Sequence, residues 1–290
     1  MAMAEYFELF QIFAEETIIF PFFVFFLGAC WGSFANVCIY RWPNELSVVT
    51  PGSHCFNCKK DIAWYDNMPI LSYFILRGKC RNCGSGYSCR YMLVEAFTGA
   101  LFLGVWYAYG WSVHTTVYWV VIFGLIFGGF VDLDTQYLPD SVTVHGIWAG
   151  ILVCTLFPVL QGVEGWKDGL IAAGTGAGIG FGLMWTVAQL GRLVFKKEAM
   201  GMGDVFLLGA IGAFFGWKAV LFNLIASSFA GSIVGVGLMA LGKHELGRHT
   251  PFGPYMALGV FAWMFGGEPL IDWYLGFFTF EPPPPVILGP

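Results

Sequence analysis

Charge is scarce in this 290-residue chain: Asp, Glu, Lys and Arg together make up only 11% of it. A soluble domain carries about a quarter charged residues to keep its surface in water, so a water-soluble globule is excluded. Dense basic runs are absent too. The fourteen Lys and Arg are dispersed and the net charge is −5, so no nucleic-acid partner is expected. The opening MAMAEYFELFQIFAEE has four Glu and neither Lys nor Arg. That is the reverse of the basic start of a cleaved signal, so the first apolar run is expected to remain as a membrane span.

Apolar residues fill the space that charge leaves. The chain is 57% hydrophobic and 19% aromatic, with a mean hydropathy of +0.69, which implies an all-α polytopic membrane protein. Runs long enough to cross a bilayer lie near 17–40, 93–109, 113–131, 141–160, 169–195, 204–217, 219–241 and 254–275, giving about eight transmembrane helices. The organisation follows from these runs. Residues 1–40 are a tail and first span, 41–92 a soluble loop, 93–275 the remaining membrane bundle, and 276–290 a Pro-rich tail that reads as an extended polyproline-like segment.

The positions of Lys and Arg orient the bundle. Arg41, Lys59, Lys60, Arg77, Lys79, Arg81 and Arg90 crowd the loop after the first span, Arg192, Lys196 and Lys197 follow the fifth, and Lys243 and Arg248 follow the seventh. With eight spans only Lys167 and Lys218 fall on the other side, so the basic loops are expected to be cytoplasmic.

The 41–92 loop contains CFNC (Cys55, Cys58) and CRNC (Cys80, Cys83), with twenty-one residues between the pairs. This is the pattern of a four-thiolate structural zinc ribbon with no open coordination position. Two disulfides would use the same cysteines, but a reducing cytoplasm disfavours them. His54 and Cys89 are surplus to such a site, and Cys30, Cys38 and Cys154 lie in spans as ordinary core thiols.

Carboxylates at the edges of apolar runs are candidates for chemistry because burying charge there is costly. Asp132, Asp134 and Asp140 occur in GGFVDLDTQYLPD, and Asp204 in GMGDVFLL. By the counted topology the third span ends and the sixth begins on one side, so an aspartate from each can meet. Two carboxylates at contact distance share one proton, and an acid beside a base is the pair that peptide hydrolysis needs. Gly201 and Gly203 leave room beside Asp204 for a substrate strand. Helix capping also accounts for Asp204, and a simple turn accounts for Asp140.

The ordered set GSFANVCIYRWP (32–43), CFNCKK (55–60), NMPILSYFILRGKCRNCG (67–84), RYMLVEAFTG (90–99), DLDTQYLPD (132–140), GMGD (201–204) and PFGPYMALG (251–259) resembles the bacterial type IV prepilin peptidases. The resemblance implies a GxGD-type aspartyl protease of the inner membrane. Such an enzyme cuts type IV prepilins and type II secretion pseudopilins after the glycine that ends a basic leader, and many members methylate the new N-terminus with S-adenosylmethionine. Matched to the family motifs, the catalytic aspartates are Asp132 and Asp204, and Asp134 falls where no catalytic carboxylate is expected. The chain departs from the family in two places: many Gram-negative members have GMGYGD where this chain has GMGD, and Met92 replaces a usual proline.

Other features bear on the methylation step and on rival functions. GTGAGIGFG (174–182) has a methyltransferase-like glycine spacing but lies within a span with no preceding strand, so Gly174, Gly178 and Gly182 are expected to pack helices. Asn36, Arg41 and Glu95, at the cytoplasmic ends of the first two spans, are candidate substrate or cofactor contacts, with interhelical bonding and snorkelling as their ordinary readings. Two further functions remain open at this stage. A Mg²⁺-dependent phosphosugar transferase could use Asp132-Leu133-Asp134, and an ion-coupled transporter could use Asp132 with Asp204.

Overall fold

The computed structural model describes residues 19–196, 200–241 and 251–277. The N-terminal tail, Lys197, Lys243, Arg248 and nearly all of the Pro-rich tail lie outside the described residues.

Among the described residues every long element is a helix, in the order α1 (Ile19–Arg41), a short α2 (Leu71–Ile75), α3 (Arg90–Tyr109), α4 (Val113–Thr135), α5 (Val144–Leu156), α6 (Trp166–Phe195), α7 (Met202–Ala240), α8 (Gly253–Ala262) and α9 (Glu268–Gly276). Five of them, α1, α3, α4, α6 and α7, are long and apolar enough to cross a membrane. The chain is a multi-pass membrane protein. In hydrocarbon all backbone polar groups must be paired within the segment, which helices accomplish.

α7 is the element that departs most from a simple rod. Its 39 residues would run about 58 Å if straight, nearly twice the hydrocarbon thickness. It breaks at Gly216, whose φ of 78° and ψ of 177° suit only glycine. The break falls in the last residues of the expected sixth run (204–217), just before the seventh begins at 219. It frees carbonyls that the neighbouring segment satisfies: Gln161 Nε2 donates to Ala213 O at 2.8 Å, and the Cys154 thiol lies 3.6 Å from Phe214 O. The expected 254–275 run is likewise divided, into α8, a π-turn over Trp263–Gly267, and α9. α5 is shorter than its expected run and is extended by a 3₁₀ turn at Pro158–Gln161.

Small residues let the helices approach. α1 lies against α3 where a Cβ on Gly28 would meet Phe102 Cβ at 2.7 Å and one on Gly32 would meet Glu95 Cα at 2.8 Å. Trp119 of α4 stacks on Phe102 with parallel rings 5.0 Å apart and donates its indole N–H to Phe102 O. The glycine contacts of α6 correct the expectation. Gly176 touches Gly212 and Gly180 touches Leu208, whereas Gly174, Gly178 and Gly182 face open space. The packing stripe is displaced by two residues, because the alternating glycines offered two possible faces and only contact with α7 selects one.

Candidate active site and metal centre

Asp132 sits in the last turn of α4. The helix ends there because Gln136 adopts a left-handed conformation and returns its N–H to Asp132 O at 2.8 Å. Asp204 sits in the first turn of α7, three residues after an extended N-cap at Gly201, whose amide donates to the Asp204 side chain. The capping expectation for Asp204 is therefore met by one half of a capping box. The two aspartates are also brought together, near enough that the Asp132 carboxyl acts on Asp204 through its charge. Both are buried, at 5% and 8% exposure.

A third element completes this arrangement. Gly253, at the N-terminus of α8, donates its backbone N–H to Asp132 Oδ2 at 3.0 Å, so a helix start with its partial positive charge faces the carboxylate. A Cβ on Gly253 would lie 2.8 Å from that oxygen and 2.9 Å from Leu138 Cδ2. Leu138 also lies 3.0 Å from where a Cβ of Gly203 would be, so the room at Gly203 is taken by Leu138. Gly201 is the exposed member of the pair, and a Cβ there would meet only Asp204 Oδ2 at 3.7 Å and Gly203 N at 3.9 Å. Sequence reading gave Gly253 and Leu138 no role, although PFGP and YLPD were visible. Their task is defined only by a contact across 121 residues.

The other aspartates separate from this pair. Asp134 is held by Arg90 in a two-pronged ion pair, Nη1 to Oδ1 at 2.8 Å and Nη2 to Oδ2 at 2.7 Å, with the guanidinium over the Phe130 ring. Both oxygens of Asp134 are engaged by the one guanidinium, and no hydrogen bond joins it to Asp132 among the described residues. Asp140 is exposed in the turn that starts α5, as its turn reading anticipates. Asp132 and Asp204 lie at helix ends and not at mid-span, which is unlike a transporter's central ion site.

Asn36, Arg41 and Glu95 line a cavity of about 580 Å³ between the metal loop and the ends of α1 and α3, together with Tyr40, Tyr65 and Tyr87. Each is already engaged with backbone. Asn36 donates to Tyr91 O at 3.0 Å, Arg41 to Ser47 O at 3.0 Å and Gly52 O at 3.1 Å, and Glu95 Oε2 accepts from Ile70 N–H at 2.8 Å.

The four cysteines converge, with all sulfur atoms within 4.8 Å of one another and Cys55 Sγ 3.8 Å from Cys83 Sγ. A tetrahedral metal with bonds of about 2.3 Å to sulfur requires sulfurs about 3.8 Å apart, so the donor set fits. Two matching knuckles build it. Lys59 N–H returns to Cys55 O and Cys55 N–H to Lys60 O; Gly84 N–H returns to Cys80 O and Cys80 N–H to Ser85 O. Lys59 and Gly84 occupy the same left-handed place, with φ of 58° and 71°. The amides of Cys58 and Asn57 pull the Cys55 thiol down to about 6. Against the lowering effect of the Lys60 amide, partial desolvation and the facing thiols of Cys55, Cys83 and Cys80 push Cys58 up to about 11. His54 and Cys89 lie outside the cluster.

Helical spans, a buried aspartate pair at their ends and a tetracysteine loop define a membrane protein with a candidate acid–base centre and a candidate metal site. Comparison with known proteins gives the class a name. The bacterial Peptidase A24 N-terminal domain matches residues 26–109, and the type IV leader peptidase family matches residues 119–236. Relatives described as prepilin leader peptidase/N-methyltransferase include those of Myxococcus xanthus (strain DK1622), 40% identical over 80% of this chain and 67% of that protein; Pseudomonas putida, 36% over 83% and 89%; and Neisseria gonorrhoeae, 35% over 82% and 87%. The chain belongs to the type IV leader peptidase family. No solved structure matches it.

Proposed function

We propose that this protein is a membrane aspartic endopeptidase that removes the basic leader of type IV prepilins and type II secretion pseudopilins after a glycine, then methylates the new N-terminal amine. The observation that carries the reading is the buried meeting of Asp132 and Asp204 at helix ends, inside a chain of the type IV leader peptidase family. Two carboxyls that meet cannot both be ionised, so one is ionised while its partner keeps a proton. The ionised group takes a proton from water, whose oxygen attacks the scissile carbonyl carbon, and the partner protonates the carbonyl oxygen. Collapse of the tetrahedral carbon breaks the C–N bond and delivers a proton to the leaving amine. The Gly253 amide fixes one oxygen of Asp132 throughout.

Four thiolates with no open position suit a structural zinc that ties the 41–92 loop together. S-adenosylmethionine supplies the methyl group in the second step, as the N-methyltransferase in the relatives' names supports. Asn36, Arg41 and Glu95 hold the shape of the cavity beside the metal loop, and Gly201 leaves the approach to Asp204 open. We place the protein in the bacterial inner membrane with the metal loop and the aspartates at the cytoplasmic face. In this layout α7 counts as two crossings, which with α5 and the α8–α9 run makes eight. The domain layout is 1–40, 41–92, 93–275 and 276–290.

Mass spectrometry of a purified prepilin incubated with this protein, with and without S-adenosylmethionine, tests both steps. Cleavage after the leader glycine is expected in either case, and one added methyl group only with the cofactor. An uncut prepilin overturns the peptidase reading, and a cut but unmethylated product at saturating cofactor overturns the second step. Cleavage that persists without Mg²⁺ or an ion gradient excludes the transferase and transporter alternatives.

A further inference from the structure

The chain between the two metal knuckles descends to the level of the membrane spans. Ile70 is bonded to Glu95, which lies five residues into α3, about 7.5 Å along the helix from Arg90. The same carboxylate is bonded to Ser33, eight residues before the Arg41 end of α1, about 12 Å along that helix. Pro69 is buried, and Asn67 and Pro69 share a hollow with Cys30, Ser33 and Phe34 of α1. Residues 67–70 are therefore wedged beside the spans and do not stand above them.

α2 follows at once. Its Leu71, Phe74 and Ile75, spaced i, i+3 and i+4, are 47%, 65% and 66% exposed, while Ser72 is buried and Tyr73 meets Tyr87 edge-on. The spans also expose apolar side chains at this level, Phe34 at the hollow shared with Asn67 and Pro69, and Leu93 and Phe97 on either side of Glu95 in α3. The exposed Arg77 and Lys79 come next. An apolar face at this depth with basic side chains beside it matches a bilayer interface, with acyl chains against the face and anionic headgroups against the cations.

We propose that residues 67–75 are an interfacial lipid anchor, with Leu71, Phe74 and Ile75 seated at the acyl-chain boundary of the leaflet on the metal-loop side. The anchor holds the metal knuckles and the large cavity against the bilayer surface, where a membrane-inserted substrate would present its polar end. It stands on the spans and on the Ile70–Glu95 bond, independently of the peptidase reading.

The test places a fluorescent amino acid at Phe74 in the full chain, reconstituted in vesicles of phosphatidylethanolamine and phosphatidylglycerol with brominated acyl chains. A second protein carries the label at Asn82, exposed on the other knuckle. Brominated lipid is expected to remove half or more of the emission from position 74 and little from position 82, and iodide in the water to do the reverse. The label at Ile75 serves the same purpose where the Phe74 protein loses its bound metal. Emission from 74 and 75 that iodide quenches and brominated lipid spares overturns the proposal. Lipid quenching that appears only when a purified prepilin is present also overturns it, because the face would then be a substrate dock.

Discussion

The backbone N–H of Gly253 points at Oδ2 of Asp132 across 121 residues of sequence and 3.0 Å of space. One oxygen of a buried carboxylate is thereby fixed by a group that no side-chain substitution elsewhere can supply. The PFGP turn thus belongs to the candidate site even though it carries no titratable residue. Leu138, packed close to both Gly203 and Gly253, joins the two helix starts to the loop that follows Asp132.

Gly253→Ala should lower cleavage on the order of 10²-fold, because its Cβ would sit 2.8 Å from Asp132 Oδ2 and displace it. Metal content and membrane insertion should be unchanged, and the loss should fall on kcat with KM nearly constant. Steady-state kinetics on a purified prepilin check this.

Asp132→Asn and Asp204→Asn should each reduce cleavage by about 10²–10⁴-fold or more while leaving expression and metal content intact. Asn retains the volume and can still accept the Gly201 amide at position 204, so a capping role alone predicts near-normal activity. Asp134→Asn should retain most of the activity, since an exposed ion pair with Arg90 is worth about 0–1 kcal/mol. The pH profile of the unmodified protein should be bell-shaped, with limbs that belong to the pair.

Zinc analysis should find about one ion per chain, lost in the Cys55→Ser, Cys80→Ser double variant. The two knuckles should answer backbone changes differently. Gly84→Ala strains a φ of 71° and should weaken metal retention, whereas Lys59→Gly relaxes a φ of 58° and should not.

In metal-stripped protein Cys55 should be alkylated well before Cys58 at neutral pH. A thiol lowered to about 6 is mostly thiolate above that pH, and one raised to about 11 is almost wholly protonated there. Raising the pH toward 11 should close the gap. Peptide mapping after a timed alkylation reads the order directly.

A periplasm-active reporter should be silent when fused near residue 70 and active when fused near residue 165. The basic residues of the first long loop drive the expectation. Reversed signals would sink the cytoplasmic assignment of the aspartates.

Much of this protein was legible in its sequence because the relevant physics is local. Scarce charge and long apolar runs specify membrane helices, since only a backbone paired within its own segment survives in hydrocarbon. Two CxxC pairs specify a cluster of four thiols able to hold a metal, since each short spacing turns both of its sulfurs to one point. The family motifs single out Asp132 and Asp204, and not Asp134, as the candidate pair.

The tertiary structure decided what depends on contact. It took Asp134 out of the site by pairing it with Arg90, and it filled the room at Gly203 with Leu138. It also moved the α6 packing stripe from Gly174, Gly178 and Gly182 to Gly176 and Gly180, and it enlisted Gly253 to hold Asp132. A glycine or a backbone amide has the same local chemistry wherever it occurs, so its role is fixed only by what the folded chain brings within a few ångströms of it.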